Sequence, residues 1–304
     1  MNKITDQLES SPLLSVIIVT YESREDIGAC LESIPRQICG MAVEIVVVDN
    51  DSKDGTLAFI QSTYTDVIAV TSGANVGFSK ANNIGYRLAH GQYVLFLNPD
   101  TIVNRDALTL CVHRLQNEPD IGIISPKLVL CDGGMDLACR RSVPTIWDGF
   151  TRASGLARLF PKSRLCAGYN LTYLPEADTY TVGAVNGAFM MIPRRVLDRI
   201  GLFDEQFFMY GDDLDLCLRC SMEGFRVVYD GRYSIIHLKG RSSSKEYRRM
   251  SKAIFKGTKQ FYLKHFNRNN SRSIRWKYEA LFWLWSSFAS LLAAIRRRKT
   301  ARPI

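Results

Sequence analysis

Apolar runs and stretches of helical periodicity alternate through the first third of the chain. Four apolar runs rich in β-branched residues have the composition of strands buried on both faces. They cover residues 13–19, 43–49, 67–71 and 93–98. The stretches between them have the pattern of helices, at residues 24–34, 56–63 and 78–90. This alternation predicts an α/β fold with a mainly parallel sheet flanked by helices.

Polar residues follow each of these four runs. In a parallel sheet the carboxyl ends of the strands meet at one edge, and ligands bind there. The pattern therefore predicts a binding site at that edge, whereas independent turns would not require polar groups after each strand. The residues concerned are Thr20, Tyr21, Asp49, Asn50, Asp51, Asn75, Gly77, Asn98 and Asp100.

The break after the fourth run can be interpreted in two ways. The stretch "VLFLNPD" ends in Asn98, Pro99 and Asp100. All three residue types favour turns, so a simple turn is one interpretation. The other is that the carboxylate of Asp100 binds a metal ion at the tip of the strand.

Residues 127–180 have no clear periodicity and mix basic with aromatic residues. A long irregular stretch inside a compact domain is often a binding loop or lid, and a mobile surface insertion is the alternative. After it, "GAFMMI" predicts a strand and "LDLCLRCSMEG" predicts a helix that ends at Gly224.

Two adjacent carboxylates, Asp212 and Asp213, stand before that helix. One of them would cap the helix, with Asp215 favouring its positive end. Alternatively, a carboxylate that follows the aromatic run "FFMY" suits a general base in a partly apolar site.

The composition fits one large core with an appendage, because 304 residues with 46% hydrophobic content can bury a single extensive interior. The first residues lack the apolar stretch of a signal peptide. The eight cysteines are scattered, as expected in a reducing cytosol. Cys217 and Cys220 form a CxxC without a second pair, so we interpret them as packing residues and not as zinc ligands.

Charge is distributed unevenly along the chain. Residues 239–304 contain 18 Lys/Arg and 2 Asp/Glu, whereas the whole chain has a net charge of +9. Such a basic tail would bind nucleic acid or an anionic membrane surface. The chain contains no nucleic-acid-binding motif, so the sequence predicts no nucleic-acid partner.

The tail includes an uncharged stretch at residues 280–295, followed at once by "RRRK". As a helix it would be about 24 Å long, which is shorter than a hydrocarbon core of about 30 Å. Its apolar residues share one face, which predicts an interfacial helix on an anionic leaflet. The alternative is that it packs on the body, or on another subunit of a homo-oligomer.

Oxidoreductases and P-loop enzymes are disfavoured, because the chain has neither a GxGxxG fingerprint after its first strand nor a Walker A loop. Helix starts near Gly55 and Gly77 would still offer backbone N–H groups to a diphosphate.

Six motifs together resemble the family-2 glycosyltransferases of the GT-A fold. They are "SVIIVTYES", "VVVDNDSKDGT", "NVGFSKANNIG", "FLNPD", "GAFMMI" and "FDEQFFMYGDDLDLCLR". They occur in that family's usual order and cover residues 13–242. Within the family, the chain looks most like bacterial rhamnosyltransferases that use a dTDP-sugar.

The resemblance implies a role for individual residues. Asp100 would bind Mg²⁺ or Mn²⁺ on the donor diphosphate, with His237 near the diphosphate or metal; a strand-end histidine without a ligand is the alternative for His237. Asp213 aligns with the catalytic base, and Asp212 replaces a more usual Glu. Further donor contacts would come from Thr20, Tyr21, Asp49, Asn75, Gly77, Asn82 and Asn98.

The resemblance also implies an organisation into two parts. Residues 1–242 would form the catalytic domain, with a nucleotide-sugar half at 13–126 and an acceptor half at 127–242. Residues 243–304 would form a basic helical tail. The enzyme would be cytoplasmic and peripheral on the inner face of the cell membrane.

The implied reaction is metal-dependent transfer with inversion. A divalent cation would neutralise charge on the departing diphosphate, and a carboxylate would take the proton of the acceptor hydroxyl. L-rhamnose would pass from dTDP-L-rhamnose to a lipid-linked surface or cell-wall glycan. The alternatives are another UDP- or GDP-sugar, a non-catalytic nucleotide-sugar-binding protein and a nucleotidyltransferase.

Overall fold

A mixed, mostly parallel sheet forms the centre of the computed structural model, which describes residues 11–238 and 244–266. The first strands pair in parallel, β1 with β3 and β5, and β3 with β4. A short β2 pairs antiparallel with β3. These strands are β1 (Leu14–Thr20), β2 (Gln37–Ile38), β3 (Met41–Asp49), β4 (Ile68–Thr71) and β5 (Tyr93–Leu97).

The sheet continues beyond β5 with strands of both directions. Its order is β2-β3-β1-β5-β11-β7-β12-β6, with β4 on β3 and β9 on β12. Strand β11 runs antiparallel to β5, and β12 runs parallel to β7. A separate pair is formed by β8 and β10. These strands are β6 (Thr101–Ile102), β7 (Ile121–Leu130), β8 (Arg140–Arg141), β9 (Thr179–Thr181), β10 (Ala184–Val185), β11 (Phe189–Pro193) and β12 (Arg226–His237).

Helices pack on the sheet and follow its strands. Helix α3 contacts β1 and β3, α4 contacts β7, and α8 contacts β10 and β12. The helices are α1 (Ile27–Ser33), α2 (Thr56–Thr63), α3 (Phe78–Leu88), α4 (Arg105–Asn117), α5 (Ile146–Ser154), α6 (Leu156–Leu159), α7 (Arg194–Ile200), α8 (Asp212–Met222) and α9 (Ser244–His265).

The core lies on both faces of the central strands. Every residue of β1 is buried, as expected for a strand covered by helices on both sides. Strand β4 differs from the prediction of full burial, because it pairs only with β3 and Ile68 is 39% exposed. The run around residue 68 is therefore a partly exposed edge strand. Cys217 and Cys220 are buried in α8, which confirms their packing role.

The stretch predicted to be irregular, residues 127–180, contains regular elements in the structure. Strand β8 and helices α5 and α6 lie within it. Helix α5 begins with a capping box, in which Thr145 and Asp148 each accept the other's backbone N–H. The predicted interfacial helix at residues 280–295 lies outside the described residues.

Candidate functional site

The first part of the site lies where β1 and β3 end side by side. Their register places Thr20 opposite Asp49. The Thr20 hydroxyl donates to Asp49 Oδ1 at 3.1 Å, and the backbone N–H of Ser52 donates to Oδ2 at 2.9 Å. A carboxylate has about four lone-pair directions, so Asp49 keeps acceptor capacity for a ligand. Tyr21, the next residue after β1, is half exposed.

The loop after β4 is held in place by side-chain amides. Asn50 Oδ1 accepts from the backbone N–H of Val76 at 2.9 Å, and Asn50 Nδ2 donates to Asn75 Oδ1 at 3.0 Å. The Asn75 oxygen also accepts from the backbone N–H of Gly77 at 3.3 Å. The structure thus brings the predicted residues Asn75 and Gly77 to the edge of the sheet next to Asp49.

Gly77 is required by a close approach between two chain segments. Its φ of 85° lies in the left-handed region, and a Cβ there would be 2.5 Å from the carbonyl oxygen of Phe208. The same carbonyl accepts from the backbone N–H of Phe78 at 2.8 Å. The loop that begins α3 is therefore fastened to the segment that leads into α8.

Asn82 is buried one turn into α3. Its Nδ2 donates to the carbonyl of Phe78 at 3.0 Å, so this donor is already engaged within the helix. The structure places it beneath the start of the helix, whereas Asn75 and Gly77 lie in the loop itself.

The second part of the site is formed by Asp100 and His237. The antiparallel pair β6–β12 places His237 opposite Thr101, the residue after Asp100. His237 Nε2 lies 3.4 Å from Asp100 Oδ1, and Nδ1 lies 3.1 Å from Asp136 Oδ2. The imidazole is buried, whereas the Asp100 side chain is 28% exposed. Asp100 is therefore the member of the pair that faces solvent.

The two carboxylates determine the charge of this imidazole. Burial alone would lower the pKa of His237, but hydrogen bonds to Asp100 and Asp136 outweigh it and raise that pKa to about 9. His237 is therefore an imidazolium at neutral pH when no cation competes for Asp100.

Residues 186–188, just before β11, connect the two halves of the site. Asn186 Nδ2 donates to Asp136 Oδ2 at 3.2 Å, on the His237 side. The backbone N–H of Gly187 lies 3.4 Å from Asp213 Oδ2. The backbone N–H of Asn98, the last polar position before Asp100, donates to the carbonyl of Ala188 at 3.1 Å.

Asp213 projects from the first turn of α8 and pairs with a buried arginine. Arg141 Nη2 lies 2.5 Å from Asp213 Oδ2 and 2.6 Å from the carbonyl of Val185. Burial disfavours the guanidinium charge, yet Asp213 raises the pKa of Arg141 above its usual value. The carboxylate of Asp213 is thus oriented by a fixed cation and remains 14% exposed to solvent.

Neither Asp212 nor Asp213 is the N-cap residue of α8, although Asp213 Oδ1 accepts from the backbone N–H of Leu214 at 2.8 Å. Gly211 occupies the N-cap, and no side chain caps α8 there. Both aspartates lie inside the first turn, where negative charge is favourable. Asp212 is 4% exposed, and burial together with the charge of Asp213 raises the pKa of Asp212 to about 8. The site therefore favours the protonated form of Asp212, whereas the Asp213 side chain is 14% exposed to solvent.

Helix α9 packs against the turn that precedes Asp212. A Cβ on Gly257 would be 2.0 Å from the carbonyl oxygen of Tyr210, so only glycine allows this approach. Nearer its end, Lys264 Nζ and His265 Nε2 each lie 2.7 Å from Asp215 Oδ1. Part of the predicted tail therefore supports the helix that carries Asp213.

Sequence reasoning missed three residues of this site: Asp136, Arg141 and Asn186. Each belongs to a segment without a strand-end motif, and each meets its partner across 50 or more residues of chain. One sequence signal could have identified Asn186. It lies directly before "GAF", as the other predicted polar residues lie directly next to turns.

The described residues contain no cluster of three or more His, Cys, Asp or Glu side chains arranged around one metal position. Asp136 contacts Nδ1 of His237, whereas Asp100 contacts Nε2. Of these three residues, only Asp100 and His237 are therefore placed to bind the same metal ion. Within the described ranges, none of the helices has the length and apolar character needed to cross a bilayer.

The model of the glycosyl transferase family 2 matches residues 15–179. The chain therefore belongs to glycosyl transferase family 2 and is a glycosyltransferase. The family assignment and the GT-A fold expected from the six motifs are both confirmed.

Curated relatives include hexosyltransferases of two kinds. The chain is 30% identical over 218 residues to the low-salt glycan biosynthesis hexosyltransferase Agl10 of Haloferax volcanii, covering 70% of this chain and 63% of that protein. It is 25% identical to the N-acetylglucosaminyl-diphospho-decaprenol L-rhamnosyltransferase of Mycobacterium tuberculosis, covering 77% and 78%. The chain thus spans less than two thirds of Agl10.

Among solved structures, the mannosyltransferase PcManGT from Pyrobaculum calidifontis in complex with GDP-Man and Mn²⁺ matches with a TM-score of 0.58. The match covers 97% of this chain and 77% of PcManGT at 19% identity, which supports the shared fold.

Proposed function

We propose that this glycosyltransferase moves L-rhamnose from dTDP-L-rhamnose to a hydroxyl of a lipid-linked glycan, with inversion and with a divalent cation. The observation that supports the proposal is the chain of contacts that links the Asp100–His237 pair, through Asp136 and residues 186–187, to Asp213. The donor and acceptor assignments are supported by the rhamnosyltransferase relative and its printed name.

Asp213 is the residue that takes the proton of the acceptor hydroxyl. It is partly exposed, oriented by Arg141 and joined to the backbone N–H of Gly187. As the base removes the proton, the acceptor oxygen attacks the anomeric carbon and the bond to the diphosphate breaks. A single displacement of this kind inverts the configuration at that carbon.

The residues on the donor side fit a divalent cation. Asp100 offers a carboxylate oxygen, and His237 offers Nε2 while its Nδ1 is held by Asp136. A carboxylate behind a ligating imidazole is the usual support for a metal-bound histidine. Asp100 and His237 would hold the cation. The cation would supply charge neutralisation for the leaving diphosphate.

The nucleotide would occupy the edge formed by β1, β3 and the loop after β4. Asp49 is held between Thr20 and Ser52 and keeps acceptor capacity for a base N–H. Tyr21 is exposed beside it. The Asn75–Gly77 loop lies between this edge and the segment leading to Asp213, which is where the diphosphate and sugar would lie. Asn98 and Asn82 would support this side.

The domain division and location follow the same proposal. Residues 1–242 form the catalytic domain and 243–304 the tail, which we place on the inner face of the cell membrane. Helix α9 contacts α8, so the first part of this tail is also a support for the catalytic helix.

The test is a transfer assay with a matched lipid-linked acceptor and a panel of donors. We expect dTDP-L-rhamnose to be used faster than UDP-glucose or GDP-mannose, with release of dTDP and with activity lost in EDTA and restored by Mg²⁺ or Mn²⁺. A faster UDP- or GDP-sugar would contradict the donor assignment. Donor binding without turnover would indicate a binding protein, and pyrophosphate release from a nucleoside triphosphate would indicate a nucleotidyltransferase.

A further inference from the structure

Helices α5 and α6 and the loop after them expose an unusual set of apolar side chains. We call residues 146–165 the aromatic surface. In α5, Ile146 is 52% exposed, and Trp147 and Phe150 are each 45% exposed. Beyond it, Leu159 is 70%, Phe160 50% and Leu165 67% exposed. Several large exposed apolar side chains within one segment mark an interaction site more often than exposed apolar residues scattered singly do.

Helix α5 has its polar side inward and its apolar side outward. Asp148 and Thr151 are 7% and 1% exposed, and Asp148 is held in the capping box. The rings of Trp147 and Phe150 lie 5.3 Å apart on the outer side. A helix of a water-soluble domain normally shows the opposite arrangement, so the outer face of α5 is suited to an apolar environment.

The indole of Trp147 also retains a polar contact. Its Nε1 donates to the carbonyl of Leu165 at 2.8 Å, which ties α5 to the end of the aromatic surface. An indole with one satisfied polar end and one exposed apolar face suits the boundary between water and lipid.

The charge of the aromatic surface indicates which occupant it fits. Arg152, Arg158, Lys162 and Arg164 are all exposed there, whereas the single acidic residue, Asp148, is buried. Aromatic and leucine side chains next to exposed cations are the combination that binds the headgroup region of an anionic bilayer. An apolar protein segment would gain nothing from four cations.

The aromatic surface begins close to the catalytic base. Strand β8 carries Arg141, the partner of Asp213, and α5 begins five residues later. The backbone N–H of Ser142 donates to the carbonyl of Tyr169, and the Tyr262 hydroxyl donates to the carbonyl of Pro144. These hydrogen bonds hold the segment between β8 and α5 on both sides. The position of the aromatic surface relative to strand β8 and Arg141 is therefore fixed.

We infer that the aromatic surface is a docking site for an anionic lipid bilayer, which would bring the headgroup of a lipid-linked acceptor to the cleft that holds Asp213. This inference rests on the proposed function for the acceptor. It differs from the tail prediction because it assigns membrane contact to the catalytic domain, through α5 and α6.

The experiment uses Trp147 as a local reporter in the full chain. Trp276, Trp283 and Trp285 are replaced by Phe, which leaves Trp147 as the single tryptophan. The protein is mixed with vesicles of phosphatidylcholine and phosphatidylglycerol that contain brominated lipid, which quenches only nearby indoles. We expect quenching of Trp147 that weakens with salt and is much smaller with pure phosphatidylcholine vesicles.

A second variant tests the surface itself. Phe150→Ser, Leu159→Ser and Phe160→Ser together should raise the lipid concentration for half-maximal quenching by about tenfold or more. The matched control is Ile68→Ser with Met222→Ser, which removes exposed apolar side chains from other faces and should leave quenching unchanged. Unchanged melting temperature shows that each variant is folded.

Three results would overturn the inference. One is cosedimentation with vesicles without quenching of Trp147, because contact would then be made elsewhere. Another is equal loss of quenching in the control variant. The third is protection of Trp147 from iodide in lipid-free protein, since a second copy or the chain's own tail would then cover the surface. None of these measurements needs the donor or the acceptor, so their outcome is independent of the outcome of the transfer assay.

Discussion

Asp212→Asn should stabilise the protein, and the gain should grow as pH rises. The side chain is 4% exposed, and burial beside Asp213 raises its pKa to about 8. In the unfolded chain an aspartate titrates near 3.9. Between these values the folded state holds a proton that the unfolded state lacks, so wild-type stability falls as pH rises through this window. Asparagine has the shape of the protonated acid and does not titrate.

The expected magnitude follows from the size of the shift. A single proton difference changes the free energy of unfolding by about 1.4 kcal/mol per pH unit. Relative to wild type, the variant should gain little at pH 4 and up to about 4 kcal/mol at pH 7. More than half of this gain should arise between pH 5 and pH 7.

Urea denaturation of both proteins at several pH values measures this difference directly. Asp132→Asn, a change at an exposed carboxylate, is the matched control and should keep the wild-type slope. Parallel stability curves for Asp212→Asn and wild type would refute the reasoning, since Asp212 would then be ionised in the folded state. Transfer activity of the variant should stay near that of wild type, because Asp213, and not Asp212, is the proposed base.

Variants at four further positions test the site and its support. Asp213→Asn should retain donor binding while transfer falls by about 10²-fold or more, and near-normal turnover in a folded protein would end the assignment of the base. Arg141→Met should lower turnover while donor binding is retained, because Asp213 loses the cation that orients it; Arg141→Lys should restore part of the turnover, and unchanged turnover in a folded Arg141→Met protein would contradict the pairing. Asp100→Ala should abolish the metal dependence of donor binding, measured by calorimetry with and without Mn²⁺, and an unchanged dependence would exclude Asp100 as a ligand. Gly257→Ala would normally favour a helix by about 1 kcal/mol, but overlap with Tyr210 should make it destabilising by about 1–3 kcal/mol, so a raised melting temperature would disprove the close packing.

The sheet and its polar edge were predictable because buried parallel strands have a strong local signature. Residues of β1, β3 and β5 are apolar almost throughout, and the residue after each strand must lie at the same edge. Thr20 and Asp49 met as expected for this reason. Strand β4 has the same composition, yet its edge position depends on which strands pair, and composition does not contain that information.

The remaining parts of the site depend on contacts between distant segments. Asp136 meets His237 across 101 residues, and Arg141 meets Asp213 across 72 residues. Neither pair has a spacing that a sequence motif could reveal. The choice between base and cap for Asp213 was also undecided in the sequence, because both roles place an aspartate near the start of a helix. In the structure the left-handed Gly211 is the N-cap residue, and the role of Asp213 as base stays a prediction.

Helix α8 is held from opposite flanks. Asp213 pairs with Arg141, and Asp215, two residues further on, pairs with Lys264 and His265 of α9. Two residues turn a helix by about 200°, so these anchors act on opposite sides of its axis. A helix clamped in this way cannot rotate to follow the hydroxyl of each acceptor. If Asp213 is the base, as proposed, the direction in which the proton leaves is set by the fold, and adaptation to another acceptor would have to come from residues outside α8.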